Sequence, residues 1–184
     1  MYTTEKYEAS ISVSEYVKNY VDIPTFLKAC KACPNYDQVW SCPSYSFDVA
    51  DYWKKYNMLR LTATKIIFKP ELLERTYTPE EQNAIIQKVI PPEKERLSEE
   101  MYRQEAQFPG SISLSAGSCS LCKNGCAKPL GKPCRFPDKM RYSIESLGGN
   151  VGLTIEKLMG LHLEWMEADR LPAHFILVNG LLIP

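Results

Sequence analysis

The spacing of apolar positions changes along the chain, and each change marks an element. Residues 7–13 (YEASISV) alternate apolar and polar, the period-two signature of a half-buried strand. Asp22 ahead of Ile23-Pro24 reads as a helix N-cap with proline in the first turn. It predicts a short helix through Phe26 and Leu27 that delivers the chain to Cys30. Residues 30–47 hold three cysteines, two prolines and several aromatics, the composition of an ordered loop. Asp48 then caps a helix predicted over residues 49–56. Residues 58–68 (MLRLTATKIIF) are β-branched and apolar, the clearest strand in the chain.

Thr78-Pro79-Glu80-Glu81 is a capping box with proline at the first helical position. The helix it opens turns Ile85, Ile86, Val89 and Ile90 inward, and Pro91-Pro92 predicts a break or kink. A second helical segment runs from about Glu93 to Gln107, ended by Pro109-Gly110. Residues 111–115 (SISLS) read as a second core strand, running straight into residues 117–137, a loop of four cysteines, three prolines and three glycines. Residues 143–147 predict one helical turn stopped by Gly148-Gly149, and Asn150 caps a helix over residues 151–159. Residues 173–178 (AHFILV) form a third core strand, expected to close at Asn179-Gly180. Strands and helices interleave, which predicts an α/β or α+β fold. The expected architecture is a single mixed β-sheet with packed helices and two cysteine-rich metal-binding loops, the whole of residues 1–184 forming one metal-binding domain.

Composition narrows the function more than the fold. The 184 residues carry 22 Lys+Arg against 22 Asp+Glu, so the net charge is zero and a bulk electrostatic nucleic-acid binder is not expected. No apolar run approaches the roughly 20 residues needed to span a bilayer, and the first ten residues show no signal-peptide pattern. A cytoplasmic location, with no membrane partner, is the expectation. A chain of this size buries a core without disulfide staples.

The outlier is cysteine, with seven residues in two groups, Cys30-x2-Cys33-x8-Cys42 and Cys119-x2-Cys122-x3-Cys126-x7-Cys134. A C-x2-C step lets two thiolates from one tight turn reach the same centre, which is why it recurs in zinc and iron–sulfur sites. A disulfide framework fits less well, because the count is odd and nothing marks the chain as secreted. Inert buried thiols are usually solitary, and these are clustered. Four cysteines satisfy an all-thiolate zinc site, but unequal spacing around one loop is closer to the wrapping of a 4Fe–4S cluster. The first group is one cysteine short. Its centre either takes a non-cysteine ligand, for which His162 and His174 are the available histidines, or shares ligands with the second. Both histidines also read as ordinary partly buried residues.

Lys123, Lys128, Lys132, Arg135, Lys139 and Arg141 surround the second group against Asp138 alone. Such cations stabilise thiolate-rich centres, form a solvated face, or dock an acidic redox partner. Tyr36, Trp40, Tyr45, Phe47, Tyr52 and Trp53 read first as core packing and second as a shield around a centre. Glu80, Glu81, Glu93, Glu95, Glu99 and Glu100 read as solvated helix faces. No dinucleotide, P-loop, hydrolase or zinc-protease motif is present.

The segments CKACPNYDQVWSCPSY, AGSCSLCKNGCAKPLGKPCRFPDKMRYSIESLGGNV and HFILVNGLLI resemble an uncharacterised prokaryotic family of predicted metal-binding proteins, a cysteine-rich domain of unknown function. The matching positions are Cys30, Cys33, Pro34, Tyr36, Trp40, Cys42 and Pro43, then Gly117, Cys119, Cys122, Pro133, Cys134, Arg135 and Pro137, then Ser143, Glu145 and Gly148. The resemblance implies metal binding by the cysteines and no established reaction. It also implies an origin among anaerobes, which suits oxygen-sensitive clusters. Ser44 stands where the family often has a second proline, and the spacing around Cys126 departs from the pattern. Three functions are therefore expected to compete. The first is a 4Fe–4S protein with one or two clusters, serving electron transfer. The second is a structural zinc interaction module. The third is a reductase using the incompletely ligated cluster at Cys30, Cys33 and Cys42.

Overall fold

The computed structural model describes residues 1–184. Its centre is a four-stranded sheet in the order β1-β2-β4-β3, built from β1 (Tyr2–Ser12), β2 (Met58–Phe68), β3 (Ile112–Leu114) and β4 (His174–Ile183). Around it lie α1 (Val13–Tyr20), α2 (Ile23–Lys31), α3 (Val49–Trp53), α4 (Pro70–Leu73), α5 (Pro79–Gln107) and α6 (Val151–Met159). The class is α+β. All three ladders are antiparallel, which corrects the expectation of a mixed sheet. Parallel pairing needs a crossover that returns the chain to the same edge. Here the long connections instead lead strands back in the opposite sense.

Register fixes what each face buries. Ile11, Leu59 and Leu182 are cross-strand neighbours, as are Tyr7, Ala63 and Val178. They share one face with the main core, where Trp53, Tyr16, Ile144, Leu147 and Ile155 are fully enclosed. The opposite face presents Thr62, Thr64, Ile66 and Asn179, and α5 covers it. Val89 packs with Ile66 and Phe68, while Tyr2 Oη donates to Glu93 at 2.8 Å and Lys6 Nζ to Glu100 at 2.8 Å. Glu93 is buried and Glu100 is half-buried in an ion pair, so these two are not the solvated carboxylates their helix positions suggest.

Four further differences from the sequence reading have physical causes. Pro91-Pro92 does not divide α5, which runs unbroken for 29 residues from a complete capping box at Thr78 and Glu81. The prolines withdraw donors from the carbonyls of Gln87 and Lys88, and all four residues are exposed, so the loss falls on the solvent side of the helix. Strand β4 does not close at Asn179-Gly180 but continues to Ile183. Gly180 serves close packing: a Cβ there would lie 2.9 Å from Leu59 Cδ1 and 3.3 Å from Leu114 Cδ1. Strand β1 begins five residues earlier than its alternating segment, because the whole of Tyr2–Ser12 pairs with β2. The third helix ends at Trp53, short of the expected Tyr56. No helix is long and apolar enough to cross a membrane.

Candidate metal centre

Both cysteine loops leave the core-forming elements at defined points. Helix α2 is capped by Asp22, whose carboxylate accepts the Thr25 N–H at 3.1 Å, and it carries Cys30 in its last turn. The Cys33 N–H then folds back on the Cys30 carbonyl at 2.9 Å, closing the tight turn a C-x2-C step requires. The second loop leaves β3 and returns through Arg141. That guanidinium donates to Glu105 through Nε at 2.7 Å and Nη2 at 2.6 Å. Glu105 also accepts the backbone N–H of Ser113 at 2.6 Å and the Ser113 hydroxyl.

The two loops are stitched together. Ser41, fully buried, accepts the Cys119 N–H at 2.9 Å. Asn35 donates to Ser118 Oγ at 3.2 Å, and Trp40 Nε1 donates to the Lys132 carbonyl at 3.1 Å. Lys128 Nζ crosses back to the carbonyls of Cys42 and Ser44, both at 3.0 Å. Arg135 donates to the Gly125 carbonyl at 2.7 Å. Of the six basic residues, Lys128, Arg135 and Arg141 are therefore loop clamps. Lys123 and Lys132 stay exposed, and Lys139 reaches Glu99 at 4.0 Å.

Cys119, Cys122, Cys126 and Cys134 line one small apolar cavity, together with Val39, Trp40, Leu121, Phe136 and Met140. Trp40 thus shields the second cysteine group, whereas Tyr45 stacks on Phe47, and Tyr45 and Tyr52 meet Tyr142 edge-on against the core, as the packing reading of the aromatics expects. All seven thiols are free, and Cys33 is the exposed one. Burial raises the Cys119 thiol, reinforced by neighbouring Cys134, Cys122 and Cys126. Burial likewise raises Cys30, reinforced by Cys42 and Cys33. The thiols therefore group as the two sequence clusters do. Cys42 also feels Cys126, so the groups are neighbours. No three Cys, His, Asp or Glu side chains converge closely enough to hold a single ion.

The histidines lie beside each other. His174 Nε2 lies 2.9 Å from the His162 carbonyl, and Nδ1 lies 3.3 Å from Glu164. Both ring nitrogens of His174 thus face His162 and Glu164.

The family model described as "Predicted metal-binding protein (DUF2284)" matches residues 17–183. The chain belongs to this family. No curated protein and no solved structure matches it. Membership in DUF2284 makes metal binding the general property of the chain. Three residues other than cysteine also shape the site: Ser41, Lys94, whose ammonium donates to the Ser118 carbonyl at 3.0 Å, and Glu145. Glu145 Oε2 is enclosed without a partner, and burial raises its carboxyl above the ordinary range. The signal that pointed towards Glu145 was its place in the Ser143–Glu145–Gly148 pattern; Ser41 and Lys94 had none.

Proposed function

We propose that this DUF2284 chain is an iron–sulfur electron-transfer protein. Cys119, Cys122, Cys126 and Cys134 would hold one 4Fe–4S cluster. Cys30, Cys33 and Cys42 would hold a second with one iron position not taken by cysteine. The supporting observation is four thiols of one loop, unequally spaced along the chain, lining a common apolar cavity. Structural zinc often takes two C-x2-C knuckles on separate turns, whereas unequal spacing around one loop is closer to the wrapping of a cluster.

Bound there, a cluster would supply one-electron transfer. The protein's part is to bind and enclose it. Trp40, Phe136 and Met140 keep water from the sulfurs, which tunes a potential. Raised thiol pKa values mean that loading displaces protons, so uptake strengthens with rising pH. Leu130 and Phe136 are exposed at 65% and 43%, in the same loop as the exposed Lys123, Lys132 and Arg135. Exposed apolar and cationic side chains on the loop that lines the cavity suit an acidic redox partner.

Metal and acid-labile sulfide analysis on protein prepared without oxygen tests this reading, with a visible spectrum of the same sample. About four iron and four sulfide per chain support one cluster, and about eight of each support two. One zinc per chain, no sulfide and no colour would overturn it in favour of the structural zinc module.

One observation favours the reductase as a second reading. A cavity of about 260 Å³ abuts the three-cysteine loop, lined by Lys31, Tyr36, Pro43, Ser44 and Tyr45 among others. Cyanide is the probe. A changed electron paramagnetic resonance spectrum of the reduced protein supports an accessible iron there, and an unchanged one removes this reading.

A further inference from the structure

The cations around the four-cysteine loop differ in what balances them. Arg141 is paired with Glu105, Lys128 Nζ lies 3.5 Å from Asp37, and Lys139 leans on Glu99. Lys123, Lys132 and Arg135 are exposed, so water and salt screen their charge. Lys94 is the exception. It comes from the middle of α5, is half-buried and forms no ion pair.

Its place is fixed against the start of the loop. Lys94 Nζ donates to the Ser118 carbonyl at 3.0 Å, and a Cβ on Gly117 would lie 3.7 Å from that nitrogen. Lys94 and Cys119 line the same cavity. Ser118 and Cys119 are also where the first cysteine loop is attached. Asn35 donates to Ser118 Oγ, and the Cys119 N–H donates to Ser41, the neighbour of Cys42. Burial disfavours the charge of Lys94, and the groups that favour it are Cys119 first, then Glu145 and Cys42. Glu145 is a poor counter-ion, because burial raises its own carboxyl. The thiolates of Cys119 and Cys42 remain.

An ammonium drawn from water without an opposite charge is costly, and a neutral donor would serve the Ser118 carbonyl without that cost. Metal-bound thiols are thiolates. Four of them leave a centre net negative, whether it holds zinc or a 4Fe–4S cluster. We propose that Lys94 is the buried counter-charge of the four-cysteine centre. It is not a ligand. Its ammonium acts through its charge from the α5 side, strengthening metal binding and raising the potential of a cluster. The inference deepens the iron–sulfur reading, but its binding half holds for zinc as well, so the two fail separately.

The test sets three variants against two readouts. Lys94→Gln keeps a donor for the Ser118 carbonyl and removes the charge, Lys94→Met removes both, and Lys94→Arg keeps the charge. Lys88→Gln removes a charge from an exposed position of the same helix and controls for net charge. Zinc is the affinity probe, competed against a chromophoric chelator with the thiols kept reduced. Lys94→Gln and Lys94→Met should each weaken zinc by about tenfold or more, as expected for a group just behind a metal's ligands. Lys94→Arg should restore most of that loss, and Lys88→Gln should match wild type. The second readout is redox titration of the iron-loaded protein. A reduced cluster carries one more negative charge, so it loses more when the ammonium goes. At the wild-type midpoint, the ratio of reduced to oxidised cluster should be about tenfold lower in Lys94→Gln, about 59 mV for one electron. A chain that takes zinc but no cluster sinks the iron–sulfur reading, and the zinc series still judges Lys94. Unchanged zinc affinity in Lys94→Gln, a loss confined to Lys94→Met, Lys94→Arg as weak as Lys94→Gln, or a cluster potential that does not move would overturn the proposal.

Discussion

Arg141 and Glu105 join three parts of the molecule, and cutting that junction has a calculable cost. Glu105 is near the end of α5, Ser113 is in β3, and Arg141 is where the second cysteine loop returns to the sheet. The pair is bidentate at 2.7 and 2.6 Å, with side chains only 12% and 15% exposed. Breaking one partner of a buried pair costs about 3–5 kcal/mol, because the other charge is left without compensation. Partial exposure places this pair at the lower end, about 3 kcal/mol. For a chain of this length that is a loss of about 8 °C in Tm. Glu105→Gln keeps an acceptor for the Ser113 N–H, so it isolates the charge. Arg141→Met removes the fork. Urea melts of metal-loaded protein under argon should show each single variant destabilised, and the double variant far less than their sum.

The pH dependence follows with a defined sign. Burial alone would raise the Glu105 carboxyl, but hydrogen bonds from Arg141 and Ser113 outweigh it and hold the pKa below the ordinary range. A lowered folded pKa gives stability that is complete above the unfolded carboxylate's value of about 4.3. That stability fades as pH falls through the lower folded value. The difference between wild type and Arg141→Met should therefore be full at pH 7 and shrink below about pH 4. Single variants costing under about 1 kcal/mol, or a strictly additive cycle, would refute the account, because exposed pairs behave that way.

Three other substitutions test how the site is held. Gly148→Ala should cost about 2–3 kcal/mol and loosen the first cysteine group. Gly148 has φ +82°, a Cβ there would lie 2.9 Å from Ile23 Cα, and its carbonyl accepts the Asp22 N–H at 2.8 Å at the start of α2. Urea melts with iron analysis of the same sample check both effects. Trp53→Phe should cost about 2–3 kcal/mol by the same melts, since Trp53 is fully buried and its Nε1 donates to the Leu147 carbonyl at 2.9 Å. Thr78→Ala should cost about 1 kcal/mol and leave metal content unchanged, because it removes only the side-chain half of the α5 capping box.

What the sequence disclosed was local. Strand β2 and helix α6 carry their signals within their own residues, in β-branched density for the one and an Asn150 cap for the other. The cysteine loops were equally legible, because spacing and Pro/Gly content are properties of a short window. What stayed hidden depends on partners far along the chain. Pro91-Pro92 reads as a break until the sheet beneath α5 is known. Asn179-Gly180 reads as a turn until Leu59 and Leu114 are seen pressing on Gly180. Ser41 looks like any loop serine, and its bond to the Cys119 N–H spans 78 residues. Lys94 belongs to the same class: it is unremarkable in its own helix, and its bond to the Ser118 carbonyl arises only through tertiary packing.

The stitching between the loops bears on how two centres would coexist. Val39, Trp40 and Ser41, which line the four-cysteine cavity, lie in the chain between Cys33 and Cys42. Lys128, between Cys126 and Cys134, in turn holds the Cys42 and Ser44 carbonyls. Each loop is thus a wall or a clamp for the other's thiols. Ordering one loop around a bound centre would lower the conformational entropy still to be lost in ordering the other. If both thiol groups are loaded as proposed, loading is positively coupled, and it is reciprocal by linkage. The coupling has an electrostatic limit, because two thiolate-ligated centres as close as Cys42 and Cys126 also repel. Burial raises the Cys42 thiol, and the Lys128 ammonium, which lies between the loops, works against that rise. That placement offsets the repulsion at the point where the two groups approach.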